Sequence, residues 1–237
     1  MSVLWALVPV KEINRSKQRL AGVLAPVERE KLVLAMLRDV LSAIGKVNEI
    51  DGVLLVSRSQ KAHALARDIV SDIMLDSVGS DHSRAVMEGN RYLRDRYGVQ
   101  SSLAISGDVP RVTADDIRRI INRHECVTLV PNATGEGTNA VLTSPPNAIS
   151  CQFGGSSLER HLASAGAAGL TARIVRNANI GHDIDDPHDL EQAIVDLRPS
   201  FTREYLESSG VAARLTQGYV DRRRDIPQRP GTAIQWT

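Results

Sequence analysis

Five stretches of the chain bring together residue types that can handle phosphates and cations. The loop "PVKEINRSKQRL" carries Lys11, Arg15, Lys17 and Arg19 within nine positions directly after an apolar run. Cations placed just beyond a buried strand can meet a phosphate chain, although a charge run of this kind also suits a solvated surface loop. In "SLAISGDVPRV" an apolar segment ends at Gly107 and Asp108, and Pro110 then turns the chain away. Asp108 is thus either a ligand at the end of a strand or the cap of a turn. In "GHDIDDPHDL", Asp183 and Asp185 stand two apart, so in an extended segment they face the same side and can share a divalent ion with Asp108. Asp186 precedes Pro187, the preferred first residue of a helix, and reads as its N-cap. Oxygen donors without cysteine favour Mg²⁺ over zinc, and His182 and His188 match no zinc spacing. In "GEGTNAVL" and "CQFGGSS", the glycines let backbone approach a ligand, Thr138 offers a hydroxyl, and Gly154 to Ser157 lead into a helix whose free N–H groups suit an anion.

Two anion sites beside a carboxylate cluster point to transfer between phosphates. An acceptor phosphate is already ionised near neutral pH, so no general base is needed. That agrees with the absence of a recognisable Ser/His/Asp or Cys/His set, and the missing Gly-Lys-Ser/Thr phosphate loop disfavours a P-loop ATPase.

The elements that must hold these residues alternate. Strands are expected at 3–10, 52–57, 72–76, 102–106 and 126–130, with helices at 26–44, 60–70, 81–98 and 113–124 between them. A βαβα order predicts an α/β fold with a mostly parallel central sheet covered by helices on both faces. Residues 131–157 break the rhythm with glycine, proline, serine and asparagine around one strand, and read as a binding platform on the sheet's edge. A helix at 157–169, a strand at 171–175 and a helix at 187–197 complete a domain spanning 1–198. Residues 199–237 read as an appendage, either a dimer arm or a partly disordered tail.

Composition limits the function classes. With 29 Lys plus Arg against 28 Asp plus Glu, the chain has no global field to attract nucleic acid or an anionic membrane. No apolar run nears the roughly 18 residues of a membrane span, and the N-terminal stretch lacks the marks of a signal peptide, so a cytoplasmic protein is expected. Cys126 and Cys151 lie outside any metal-ligand spacing and read as reduced core thiols.

In order and separation, "LVPVKEINRSKQRL", "SGDVP", "VPNATGEGTNAVLTSPP", "FGGSS" and "DIDDPHDL" resemble the CofC/FbiD guanylyltransferases of coenzyme F-420 biosynthesis, over about residues 3–196. The resemblance implies a single-domain, MobA-like nucleotidyltransferase fold and the transfer of GMP from GTP to a small phosphorylated three-carbon acid, with release of pyrophosphate. The acid would be 2-phospho-L-lactate, phosphoenolpyruvate or 3-phospho-D-glycerate. It further implies Lys11, Lys17 and Ser83 on the nucleotide, with Lys11, Lys17 and Asp108 in catalysis. Asp108, Asp183 and Asp185 would hold Mg²⁺, and Thr138, Gly154 and Ser157 would bind the acceptor. A homodimer and a hand-over of product to a deazaflavin-joining transferase also follow from the resemblance. Asp81-His82-Ser83 departs from the family's usual Gly-Leu-Asn, Asn132 replaces a common Asp, and Glu136 separates two glycines where a smaller residue is frequent. Transfer of another base or to another acceptor, or a non-catalytic homologue, are the competing readings.

Overall fold

β1 (Leu4–Val10) is buried at all seven positions, so its two sets of alternating side chains face two different apolar layers. Leu4, Ala6, Val8 and Val10 join one core cluster, and Trp5 and Leu7 join the other. The chain is seen in a computed structural model that describes residues 3–13, 16–77 and 81–224.

Around β1 lie β2 (Gly52–Ser57), β3 (Asp72–Met74), β4 (Ser101–Ile105), β5 (Val127–Pro131), β6 (Thr138–Thr143) and β7 (Ala172–Ile174), in the order β3-β2-β1-β4-β6-β5-β7. β6 alone runs against its neighbours, pairing antiparallel with β4 and β5, while the other adjacent pairs are parallel. The mostly parallel α/β sheet is thus as expected, but the expected edge platform is not. β6 lies inside the sheet, because its buried Thr138–Thr143 run satisfies two partners at once.

The helices are α1 (Pro26–Ile44), α2 (Gln60–Ala66), α3 (His82–Tyr97), α4 (Ala114–Ile121), α5 (Ser157–Ala167), α6 (Ala178–Gly181), α7 (Pro187–Asp196), α8 (Phe201–Ser208) and α9 (Val211–Arg224). Buried residues of α3 and α5 fill the Trp5 and Leu7 layer. Those of α1, α2, α4 and α7 fill the opposite one. The helix expected at 60–70 stops at Ala66, and α6 is a short turn that the sequence did not announce. Thr113 and Asp116 form the capping box read from their spacing.

The segment after 198 takes part in the same packing. Leu206 is 1% exposed and, with Val211 and Leu215, belongs to the main core cluster. Asp39 of α1 caps α8 from outside, its carboxylate accepting from Phe201 and Thr202 N–H at 2.8 and 2.9 Å. The expected boundary at 198 is therefore not a boundary of the core; residues 225–237, the rest of the expected appendage, lie outside the described residues.

Candidate active site

β1 and β4 are neighbours, yet the chain leaves β1 toward β2 and returns at β4 from the other side. A crevice opens at such a switch point, beyond the strands' carboxyl ends. Lys17 enters it from the loop after β1, and Asp108 from the turn after β4. The Lys17 ammonium lies 2.6 Å from Asp108 and 2.6 Å from Asp185, with its side chain only 7% exposed. Lys17 holds a left-handed backbone (φ 53°), which costs a non-glycine residue about 1–2 kcal/mol. The two ion pairs offset that cost.

Carboxylate oxygens of Asp108, Asp183 and Asp185 come within 4.8 Å of one another. Each is held by neighbours. The Ser106 hydroxyl donates to Asp108 Oδ1 at 2.6 Å, and Ile184 N–H donates to the Asp108 carbonyl at 3.2 Å, tying the two loops together. The Asn139 amide donates to Asp183 Oδ1 at 3.0 Å and to the Ile180 carbonyl at 2.9 Å. Asp185 N–H donates to Asp189 Oδ2 at 2.9 Å. Asp186 stays out of the cluster and caps α7 by accepting from His188 and Asp189 N–H.

The charges of this cluster do not balance. Burial and the charge of Asp108 push the Asp183 carboxyl up to about 6, against the Asn139 hydrogen bond. Burial opposes ionisation of Asp108, but the Lys17 charge and hydrogen bond outweigh it and hold its carboxyl below the usual range. Burial likewise opposes the Lys17 charge, which the two carboxylates outweigh, raising its pKa. Three carboxylates with one ammonium and no sulfur ligand form a donor set that fits a hard divalent cation such as Mg²⁺.

A second group assembles around the turn 153–157. Thr138 Oγ1 lies 3.1 Å from His161 Nδ1, and Gln152 N–H donates to His161 Nε2 at 2.9 Å. An Nε2 that accepts leaves the proton on Nδ1, so His161 is neutral and donates to Thr138. Burial holds its pKa down near 4. Gly154 has φ 106°, open to glycine, and Ser157 begins α5 with its N–H donating to the Gly154 carbonyl. Thr138, Gly154 and Ser157 are thus brought together. Ser83 faces this turn, its hydroxyl accepting from Phe153 N–H at 2.8 Å. Lys11 follows β1 directly and is exposed; Arg15 lies outside the described residues.

Sequence reasoning missed Asn139, Ser106 and His161. An amide and a hydroxyl beside otherwise apolar strand residues were the available signals for the first two. His161 gave none, because its partners are 9 and 23 positions away.

A separate cleft of about 1650 Å³ between α1, α4 and α8 includes none of these site residues in its lining. Its Arg118 and Arg203 are paired with Asp115 and Glu207 at 2.8 and 2.7 Å, so those two charges are already answered. Among the described residues no helix is long and apolar enough to cross a membrane.

Comparison with known proteins adds to this geometry. The fold is that of a putative nucleotide-diphospho-sugar transferase from Desulfovibrio desulfuricans G20, with a TM-score of 0.71, 15% identity, and coverage of 91% of this chain and 99% of the other. A nucleotidyl transferase from Methanothermobacter superposes with a TM-score of 0.64 at 17% identity, over 88% of this chain and all of its own. In sequence, the chain is 37% identical to a phosphoenolpyruvate guanylyltransferase of Sphaerobacter thermophilus, over 79% of this chain and 90% of that protein. It is 31% identical to a 2-phospho-L-lactate guanylyltransferase of Methanoculleus marisnigri, over 93% and 95%. The family model described as "Guanylyl transferase CofC like" matches residues 4–227, which takes in the lysine loop, all three carboxylates and α8. The chain belongs to the CofC-like guanylyl transferase family.

Proposed function

We propose that the protein transfers GMP from GTP to the phosphate of a small phosphorylated three-carbon acid, in coenzyme F-420 biosynthesis. The observation that carries the reading is the meeting of Lys17 with Asp108, Asp183 and Asp185 at the switch point of a nucleotidyltransferase fold. A phosphate oxygen of the acid attacks the α-phosphorus of GTP, the bond between the α-phosphorus and its bridging oxygen breaks, and pyrophosphate leaves with that electron pair. The attacking phosphate is already ionised, so the residues need to align and neutralise rather than remove a proton. In agreement with this, His161 is locked as a neutral donor to Thr138.

Asp108, Asp183 and Asp185 would hold Mg²⁺, which when bound neutralises charge on transferring phosphates. Lys11 and Lys17 lie on the nucleotide side, where their charges meet the triphosphate. Thr138, Gly154 and Ser157 bind the acid at the start of α5, where the positive end of the helix dipole favours an anion. Phosphoenolpyruvate and 2-phospho-L-lactate are the candidates suggested by the names of relatives, and 3-phospho-D-glycerate is the third. A homodimer, and passage of the product to a deazaflavin-joining transferase, complete the proposal.

The test is pyrophosphate release from GTP with each of the three acids in turn, with ATP and CTP as nucleotide controls. Release with GTP and one preferred acid is expected. Faster release with CTP or ATP would replace the guanylyl reading with another base.

A further inference from the structure

Residues 152–153 are gripped from several directions. Phe153 N–H donates to the Ser83 hydroxyl at 2.8 Å, and Gln152 N–H donates to His161. The Arg160 guanidinium donates to the Gln152 and Phe153 carbonyls at 3.2 and 3.3 Å. The Phe153 ring lies edge-on between two imidazoles, with its centroid 4.4 Å from His82 and 5.1 Å from His161. Beyond the turn, Leu158 N–H donates to the Glu136 carbonyl at 3.0 Å. The turn 154–157 therefore hangs between two fixed points, and one of them is built by the first two residues of α3.

We propose that His82 and Ser83 are positioning residues for the acceptor: through Phe153 they fix the 154–157 turn, and so set affinity for the phosphorylated acid rather than for the nucleotide. The inference rests on the guanylyl-transfer reading. A hydroxyl that accepts from a backbone N–H two elements away is already engaged in holding that backbone. The T-shaped contact of His82 with Phe153 adds a second, apolar hold on the same residue. A segment that departs from the family's usual Gly-Leu-Asn has in this chain become part of the acceptor wall.

The experiment is steady-state pyrophosphate release by the wild type, Ser83→Ala, Ser83→Thr and Phe153→Ala, varying acid and GTP in turn. Loss of one hydrogen bond predicts an acid KM raised about three- to tenfold in Ser83→Ala, with the GTP KM within about twofold of wild type. Ser83→Thr keeps the acceptor oxygen and stays near wild type, and Phe153→Ala moves the acid KM further in the same direction. A rise in the GTP KM alone, an equal rise in both, or no change in either would overturn the assignment. Amide hydrogen exchange at Phe153 tests the hold without turnover: it should quicken by about tenfold in Ser83→Ala, and unchanged exchange rules the hold out. A wild type that releases no pyrophosphate with any of the acids defeats the guanylyl-transfer reading instead, leaving the exchange result to judge the hold on its own.

Discussion

The Asn139 amide nitrogen reaches Asp183 Oδ1 at 3.0 Å while also donating to the Ile180 carbonyl at 2.9 Å, so one strand residue fixes both a carboxylate and the turn that delivers it. Residues that orient a metal ligand commonly matter about 10–100-fold in metal affinity or activity. Asn139→Ala should therefore raise the Mg²⁺ concentration for half-maximal turnover by about that factor. A Mg²⁺ titration of pyrophosphate release checks this, and an unshifted midpoint would remove Asn139 from the site.

Asp108→Asn keeps size but removes one charge from the cluster and one of the two oxygens that accept from Ser106 and Lys17. Turnover should fall about 100-fold or more, because charge stabilisation at the reacting phosphates is the largest contribution expected here. Fold integrity is followed by thermal melting, which should stay within a few degrees of wild type.

Lys17→Ala leaves two carboxylates without their cation. Solvent screening at the half-exposed Asp185 tempers the loss, so a destabilisation of about 1–3 kcal/mol is expected in chelator. Added Mg²⁺ should recover much of it, since a divalent ion answers the same charges. Melting with and without Mg²⁺ measures both; a variant whose melting ignores Mg²⁺ would contradict a cation site at these carboxylates.

Acid should unfold the protein through its buried imidazoles. His161 is fully buried and its folded pKa sits near 4, whereas the unfolded chain titrates near the ordinary 6.5. Between these values the unfolded state binds more protons, so stability is fully present above about 6.5 and is lost as pH falls toward 4. A second proton would also have to sit on Nε2, opposite the Gln152 N–H. His161→Gln should flatten this limb in a series of urea melts from pH 7 to pH 4, and an equally steep limb would place the effect elsewhere.

Asp39→Ala removes the external cap of α8, and should cost about 1–2 kcal/mol. Truncation after residue 198 should cost far more, because it strips Leu206, Val211 and Leu215 from the core. A truncated chain that melts like the full one would restore the appendage reading.

Much of this was legible in the residues. The fully apolar run of β1 announced a strand buried on both faces, and the spacing of Asp183, Asp185 and Asp186 separated the two cluster carboxylates from the helix cap. What was not legible depended on pairing at a distance. Nothing within Thr138–Thr143 tells whether the strand borders the sheet or lies inside it, because two-sided burial of backbone is decided by β4 and β5. The tail misled because its partners on α1 lie far off in the chain: Asp39 is 162 positions from Phe201, and Glu28 is 186 from Arg214. Ser83 was implied as a nucleotide contact by the family resemblance alone; its bond to Phe153, 70 positions away, left no mark in the sequence.

The antiparallel course of β6 also orders events during synthesis. β1 to β4 can assemble from the first half of the chain, and they leave the outer edge of β4 unsatisfied until β5 and β6 arrive together as one hairpin. Asp108 is present from that first stage, while Asp183 and Asp185 emerge only after β7. A divalent cation that needs all three carboxylates could be retained only after the last strand has emerged, so a chain stalled on the ribosome before residue 185 should remain indifferent to Mg²⁺.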